Sequence, residues 1–112
     1  MPSNDPPRRL RDILANIERI RRYVSGFTAE QFLSDEKTQD AVERCFERIA
    51  EAARKIGDAL DTKYPEAEFH KLRQFGSILR HDYDDVDADL IWLATTERLD
   101  TLEAVCRREL AD

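Results

Sequence analysis

Glycine and proline are scarce in this chain, 3 and 4 of 112 residues. With 38% charged and 41% apolar residues, that composition reads as a water-soluble, largely helical protein. No apolar run approaches the length needed to cross a bilayer, so no membrane association is expected. No stretch alternates apolar and polar residues between turn signals, and no fixed-period repeat or low-complexity segment occurs, which removes the main support for sheet folds and solenoids. The two cysteines, Cys45 and Cys106, are far apart in sequence and fall inside helical patterns. There a small buried apolar role is expected over a disulfide or half a zinc site. The opening residues Met1 to Pro7 have neither a basic n-region nor an apolar stretch before Arg8 and Arg9, so no secretory signal is visible and a cytoplasmic location is expected.

Acidic residues outnumber basic ones, 24 to 18, for a formal charge of -6. That balance disfavours a general nucleic-acid coat and confines any RNA site to a local patch. The length sets the expectation of one domain over residues 1–112 with one core.

Helical punctuation is legible throughout. Asp5 before Pro6 has the form of an N-cap and first helical position. Leu10, Ile13, Leu14, Ile17, Ile20 and Val24 then recur at three- and four-residue steps along one face until Ser25-Gly26. Thr28 and Gln31 stand at capping-box spacing between Phe27 and Phe32, predicting a short helical bridge outside the core. A second long helix starts near Ser34 or Asp35, buries Val42, Cys45, Phe46, Ile49, Ala52, Ala53 and Ile56, and ends at Gly57 as a left-handed cap. Its alanines, Ala50 among them, permit close approach of a neighbour. After Tyr64-Pro65 a third helix turns Phe69, Leu72, Gly76, Leu79 and Tyr83 inward, with Phe75 and Ile78 at its edges. Asp87 caps a fourth, and Asp100 with Glu103 offers a capping box for a fifth. The fold class is therefore all-α, an antiparallel up-and-down bundle of four to five helices.

The densest chemistry runs from Phe75 to Asp87. At about 100° per residue, His70, Arg73, Gln74, Ser77 and His81 share a broad polar side with Arg80 at its edge. An imidazole titrating near neutrality can take a proton from a ribose 2′-hydroxyl, while a guanidinium holds the phosphate. A structural account competes: His81 near a helix C-terminus favours the dipole, Arg80 has Asp84 at four-residue spacing, and each contact contributes at most about 1 kcal/mol. Tyr83 alone would pass for a core-edge residue with a wet hydroxyl. His70 and His81 lie about 16 Å apart along one helix, too far for one metal ion. The acidic run Asp82, Asp84, Asp85 and Asp87 has neither the glycine nor the terminal glutamate of a calcium loop. No phosphate-cradling glycine loop or serine-centred elbow is present, so neither metal nor cofactor is expected. Arg8, Arg9, Arg11, Arg19, Arg21 and Arg22 make the first helix locally basic, either a solvated face or a surface for RNA or an acidic partner.

Taken in order, Arg9-Leu10-Arg11-Asp12-Ile13-Leu14, Asp40-Ala41-Val42-Glu43-Arg44, Glu51-Ala52-Ala53, Leu79-Arg80-His81-Asp82-Tyr83, Val86-Asp87 and Ile91-Trp92 give a pattern spanning nearly the whole chain. It resembles the HepT-like family of HEPN-domain proteins, toxins paired with minimal nucleotidyltransferases of the MntA type. The resemblance implies a helical homodimer whose two Arg, His and Tyr motifs face one cleft, and metal-independent cleavage of RNA. It also implies a nucleotidyltransferase partner that silences the toxin by transferring AMP to the motif tyrosine.

By position, His81 matches the family histidine and Tyr83 the tyrosine. The family arginine precedes the histidine by four to six intervening residues, where this chain has Gly76 at the five-back position. The nearby cations are Arg80, adjacent to His81, and Arg73, eight positions earlier. Ala50 stands where the family usually has glycine. Two readings follow: a ribonuclease toxin using His81 with Arg80 or Arg73, and a catalytically degraded subunit that binds or regulates a nucleotidyltransferase.

Overall fold

A computed structural model describes residues 5–81 and 87–112. Every regular element among the described residues is helical. In chain order they are α1 (Pro6–Tyr23), α2 (Ala29–Leu33), α3 (Glu36–Ile56), a 3₁₀ turn (Pro65–Ala67), α4 (Phe69–His81), α5 (Ala88–Glu97) and α6 (Leu99–Ala111). The five long helices and the short bridge expected from sequence are all present, as an antiparallel bundle. No described helix is long and apolar enough to cross a membrane.

Local chemistry sets the starts. The Asp5 carboxylate accepts from the Arg8 amide at 3.2 Å with proline at the head of α1. Thr28 and Gln31 form the reciprocal box, the Gln31 amide donating to Thr28 Oγ1 at 3.2 Å and the Thr28 amide to Gln31 Oε1 at 2.9 Å. Asp35 caps α3 through the Thr38 amide, and Asp87 caps α5 through that of Asp89. Each such cap contributes about 1 kcal/mol by satisfying an amide that has no helical carbonyl. Gly57 ends α3 at positive φ, 79°, but with ψ of -151°. That extended geometry, open almost only to glycine, replaces the left-handed cap expected from sequence.

The core is continuous across the bundle. Leu10, Ile13, Ile17 and Ile20 of α1 meet Val42, Cys45, Phe46 and Ile49 of α3, with Leu102, Val105 and Cys106 of α6 and Ile91 of α5 closing it. Burial of each large side chain contributes roughly 1.5–3 kcal/mol. The short bridge takes part: Phe32 of α2 is fully buried, its ring 5.1 Å from that of Trp92. One aromatic thereby anchors a helix too short to stand alone.

The expected capping box at Asp100 and Glu103 does not form; α6 has no side-chain cap. Both carboxylates accept instead from Arg21 of α1, at 2.6 and 2.7 Å, clamping the end of α1 to the start of α6. Upstream, the Thr95 hydroxyl donates to the Ile91 carbonyl and that of Thr96 to the Trp92 carbonyl. Such bonding within the last turn weakens a helix, and here α5 breaks at Arg98.

Candidate functional site

The motif sits on α4, and α4 is held by its packing on α3. Three contacts fix that register. The Arg73 guanidinium donates to the Gly57 carbonyl, the Phe75 ring meets Phe46 edge-on at 5.5 Å, and Gly76 abuts Ala50. Arg73, early in α4, meets the C-terminal end of α3, while Phe75 and Gly76, further along α4, meet residues earlier in α3, so the helices are antiparallel. A Cβ placed on Gly76 would overlap the Cβ of Ala50, so a residue with a side chain cannot occupy this position at the present helix separation. Gly76 is thus part of the α3–α4 contact.

His81 is the last residue of α4 and is exposed. Ser77, one turn earlier, is exposed too, while Leu79 on the opposite side is buried. The helix therefore turns the imidazole to solvent, as its position on the wheel required. Tyr83 lies outside the described residues.

The two candidate arginines have different surroundings. Arg73 is engaged: its Nη1 donates to the Gly57 carbonyl at 3.0 Å and its Nη2 to Asp61 Oδ2 at 2.5 Å. It satisfies a carbonyl at the end of α3 and ties the following loop to α4, and the Asp61 carboxylate raises its pKa further. Arg80 is exposed and has no ion pair among the described residues. Its guanidinium folds back one turn, Nη1 lying 3.4 Å from where a Gly76 Cβ would be. The absent side chain at position 76 leaves room for it. Glu51, on the adjoining face of α3, is held below the usual carboxylate range by hydrogen bonds from Arg54, with Lys55 and Arg80 adding to that field. Arg80 thus brings its charge to the α3–α4 seam. The helical wheel alone points it away from the polar side; the fold-back follows from Gly76.

A second feature adjoins the motif. Between α4, α5 and the start of α6 runs an apolar groove of about 360 Å³ lined by Leu72, Phe75, Ile78, Leu90, Leu93 and Leu102 among others. Ile78, Leu90 and Leu93 are 46%, 55% and 49% exposed, an unusual density of wet aliphatic side chains in so charged a chain. The groove runs along α4 from Lys71 to Ile78, which is one turn before His81. Periodicity places Ile78 at the helix edge but has no means to assemble it with Leu90 and Leu93.

Among the described residues, no group of three or more His, Cys, Asp or Glu side chains is placed to hold a metal ion.

The family model described as Ribonuclease HepT-like matches residues 13–109. A Methanocaldococcus jannaschii protein named "Putative RNase MJ0127" is 34% identical over 92 residues, 82% of this chain and 76% of its own. "Probable ribonuclease HepT" of Thermococcus cleftensis is 33% identical over 94 residues, 84% of this chain and 86% of its own. No solved structure gives a significant match.

Proposed function

The chain belongs to the HepT-like ribonuclease family, and from that premise we propose that it is a toxin of a toxin-antitoxin pair that cleaves RNA without a metal ion, using His81 and Arg80. The observation carrying this reading is the exposed His81 at the end of α4, preceded by Arg80, which is exposed and has no ion pair among the described residues. His81 accepts the proton of a ribose 2′-hydroxyl. The 2′-oxygen attacks the adjacent phosphorus, the bond to the 5′-oxygen breaks, and that oxygen leaves with a proton from solvent. Arg80 offsets the charge that builds on the phosphoryl oxygens during the step. Arg73, held by Asp61 and Gly57, serves the scaffold.

In this reading two copies associate through the groove of Leu90, Leu93 and Ile78, which covers the exposed aliphatic side chains and sets both His81 residues beside the interface. The regulatory partner is a nucleotidyltransferase of the MntA type. Its reaction joins the Tyr83 phenolic oxygen to the α-phosphorus of ATP and releases pyrophosphate. The added phosphodiester puts bulk and negative charge two residues from His81, where RNA phosphates must approach.

Incubation of RNA with wild type and His81→Ala, each in excess chelator, tests the cleavage. Wild type is expected to cut, and the variant to lose about 10²–10⁴-fold. Equal inactivity of the two overturns it. Intact mass after incubation with ATP and an active nucleotidyltransferase then tests Tyr83 separately: wild type gains one AMP and Tyr83→Phe gains none.

The absence of an arginine five positions before His81, with Gly76 locked against Ala50, favours a second reading: a non-catalytic subunit that retains the bundle to bind the nucleotidyltransferase. Stable association with that partner, together with inactivity on RNA, would establish it.

A further inference from the structure

The arginines of α1, which the cleavage site does not use, are not scattered. Arg19 and Arg22 of α1 and Arg44 and Arg48 of α3 are not among the buried residues. They surround the point where Cys45 is buried between the two helices: burial raises the Cys45 thiol pKa, and the nearby charges of Arg48, Arg19, Arg22 and Arg44 all oppose that rise. Ile17 and Ile20 of α1 share one core with Cys45 and Ile49 of α3, and Arg19, Arg22, Arg44 and Arg48 are exposed neighbours of those residues on the two packed helices, in a chain whose formal charge is -6. Arg44 is paired with Glu47 at 3.0 Å, whereas Arg19, Arg22 and Arg48 have no ion pair among the described residues.

On α3, Arg44, Arg48 and Glu51 follow at four- and three-residue steps, a stripe on the side away from the core positions Val42, Cys45 and Ile49. Glu51, the carboxylate at the end of this stripe, is paired with Arg54. Three exposed guanidiniums without an ion pair among the described residues are free to pair with a polyanion.

We propose that the α1–α3 face bearing Arg19, Arg22 and Arg48 is a second RNA-binding surface that holds backbone phosphates of the substrate strand remote from the bond cut at His81. It rests on the ribonuclease reading for the identity of the ligand, and binding is measured apart from cleavage so that the two can fail separately. The surface reads no bases; it lengthens the RNA the enzyme prefers and makes binding steeply salt-dependent.

The test compares His81→Ala with the same chain carrying Arg19→Gln, Arg22→Gln and Arg48→Gln, using anisotropy of a labelled 20-nucleotide single-stranded RNA across a salt series. The quadruple variant is expected to bind about ten- to a hundredfold more weakly at 0.1 M salt, with a log-log salt slope shallower by about 2, roughly 0.7 for each phosphate that is no longer neutralised. In the active chain the same three substitutions are expected to slow cleavage of the long RNA while leaving a dinucleotide substrate unaffected. Unchanged affinity and slope overturn the proposal while leaving the ribonuclease reading intact. A matched decrease on the dinucleotide overturns it too, since the effect would then lie at His81. Undiminished RNA binding with failed association to a nucleotidyltransferase would make the face a protein-docking surface and likewise overturn it. If no RNA is cut but the labelled strand binds and the substitutions weaken it, the surface stands and the cleavage reading falls.

Discussion

Gly76 of α4 lies against Ala50 of α3 so closely that the two positions cannot both carry a Cβ without moving the helices apart. The Arg80 guanidinium lies over the space that a side chain at position 76 would need.

Gly76→Ala is therefore expected to destabilise the fold by about 1–3 kcal/mol through overpacking, even though alanine is the better helix former by about 1 kcal/mol. The double variant Gly76→Ala with Ala50→Gly restores most of that stability. Urea unfolding of the four proteins of the cycle measures the coupling, and strict additivity would contradict it.

The Asp61 carboxyl is held below its ordinary value of 3.8 by hydrogen bonds from Arg73, against the opposing effect of burial. Its folded pKa being depressed, the ion pair contributes its full stability well above the ordinary value of 3.8. The contribution fades as pH falls through the lowered value. Asp61→Asn should cost about 1 kcal/mol at neutral pH and lose that difference from wild type in acid, read from thermal melts taken from neutral pH down to about 2.5. The same substitution should leave cleavage within about threefold of wild type, as a scaffold role for Arg73 requires.

Leu90 and Leu93 are about half exposed on α5 beside Ile78. If this is the face that joins two copies, Leu90→Asp with Leu93→Asp yields a folded monomer by sedimentation velocity with an unchanged helical circular dichroism signal. A dimer that survives both charges would place the interface elsewhere.

Cys106 is fully buried, and desolvation pushes its thiol up to about 12. With so little thiolate near neutral pH, neither Cys106 nor the buried Cys45 should react with a disulfide reagent on the timescale of an exposed thiol. Both should titrate at once on denaturation. Fast labelling of the native chain at either position would contradict the packing.

Much of the fold was written in the chain because helices are specified locally. The three-to-four spacing from Leu10 to Ile20, the caps at Asp5, Thr28, Asp35 and Asp87, and the stop at Gly57 each depend on residues within a turn or two. The exposure of His81 followed from the same periodicity once Leu79 was placed inward. The family, too, was legible, since its pattern is one of order and spacing along the chain.

What the tertiary structure alone decided was the fate of the long side chains. Arg73 and Arg80 look equally available in sequence, yet one is held by Asp61 and Gly57 and the other folds back over Gly76. Asp100 and Glu103 have the spacing of a capping box and instead grip Arg21, 79 and 82 residues away. The gathering of Arg19, Arg22 and Arg48 on one face needed two helices to come together. A guanidinium or carboxylate on a flexible arm bonds to whatever packing brings within reach, and that partner is set by the crossing of helices, not by the neighbours of the residue along the chain.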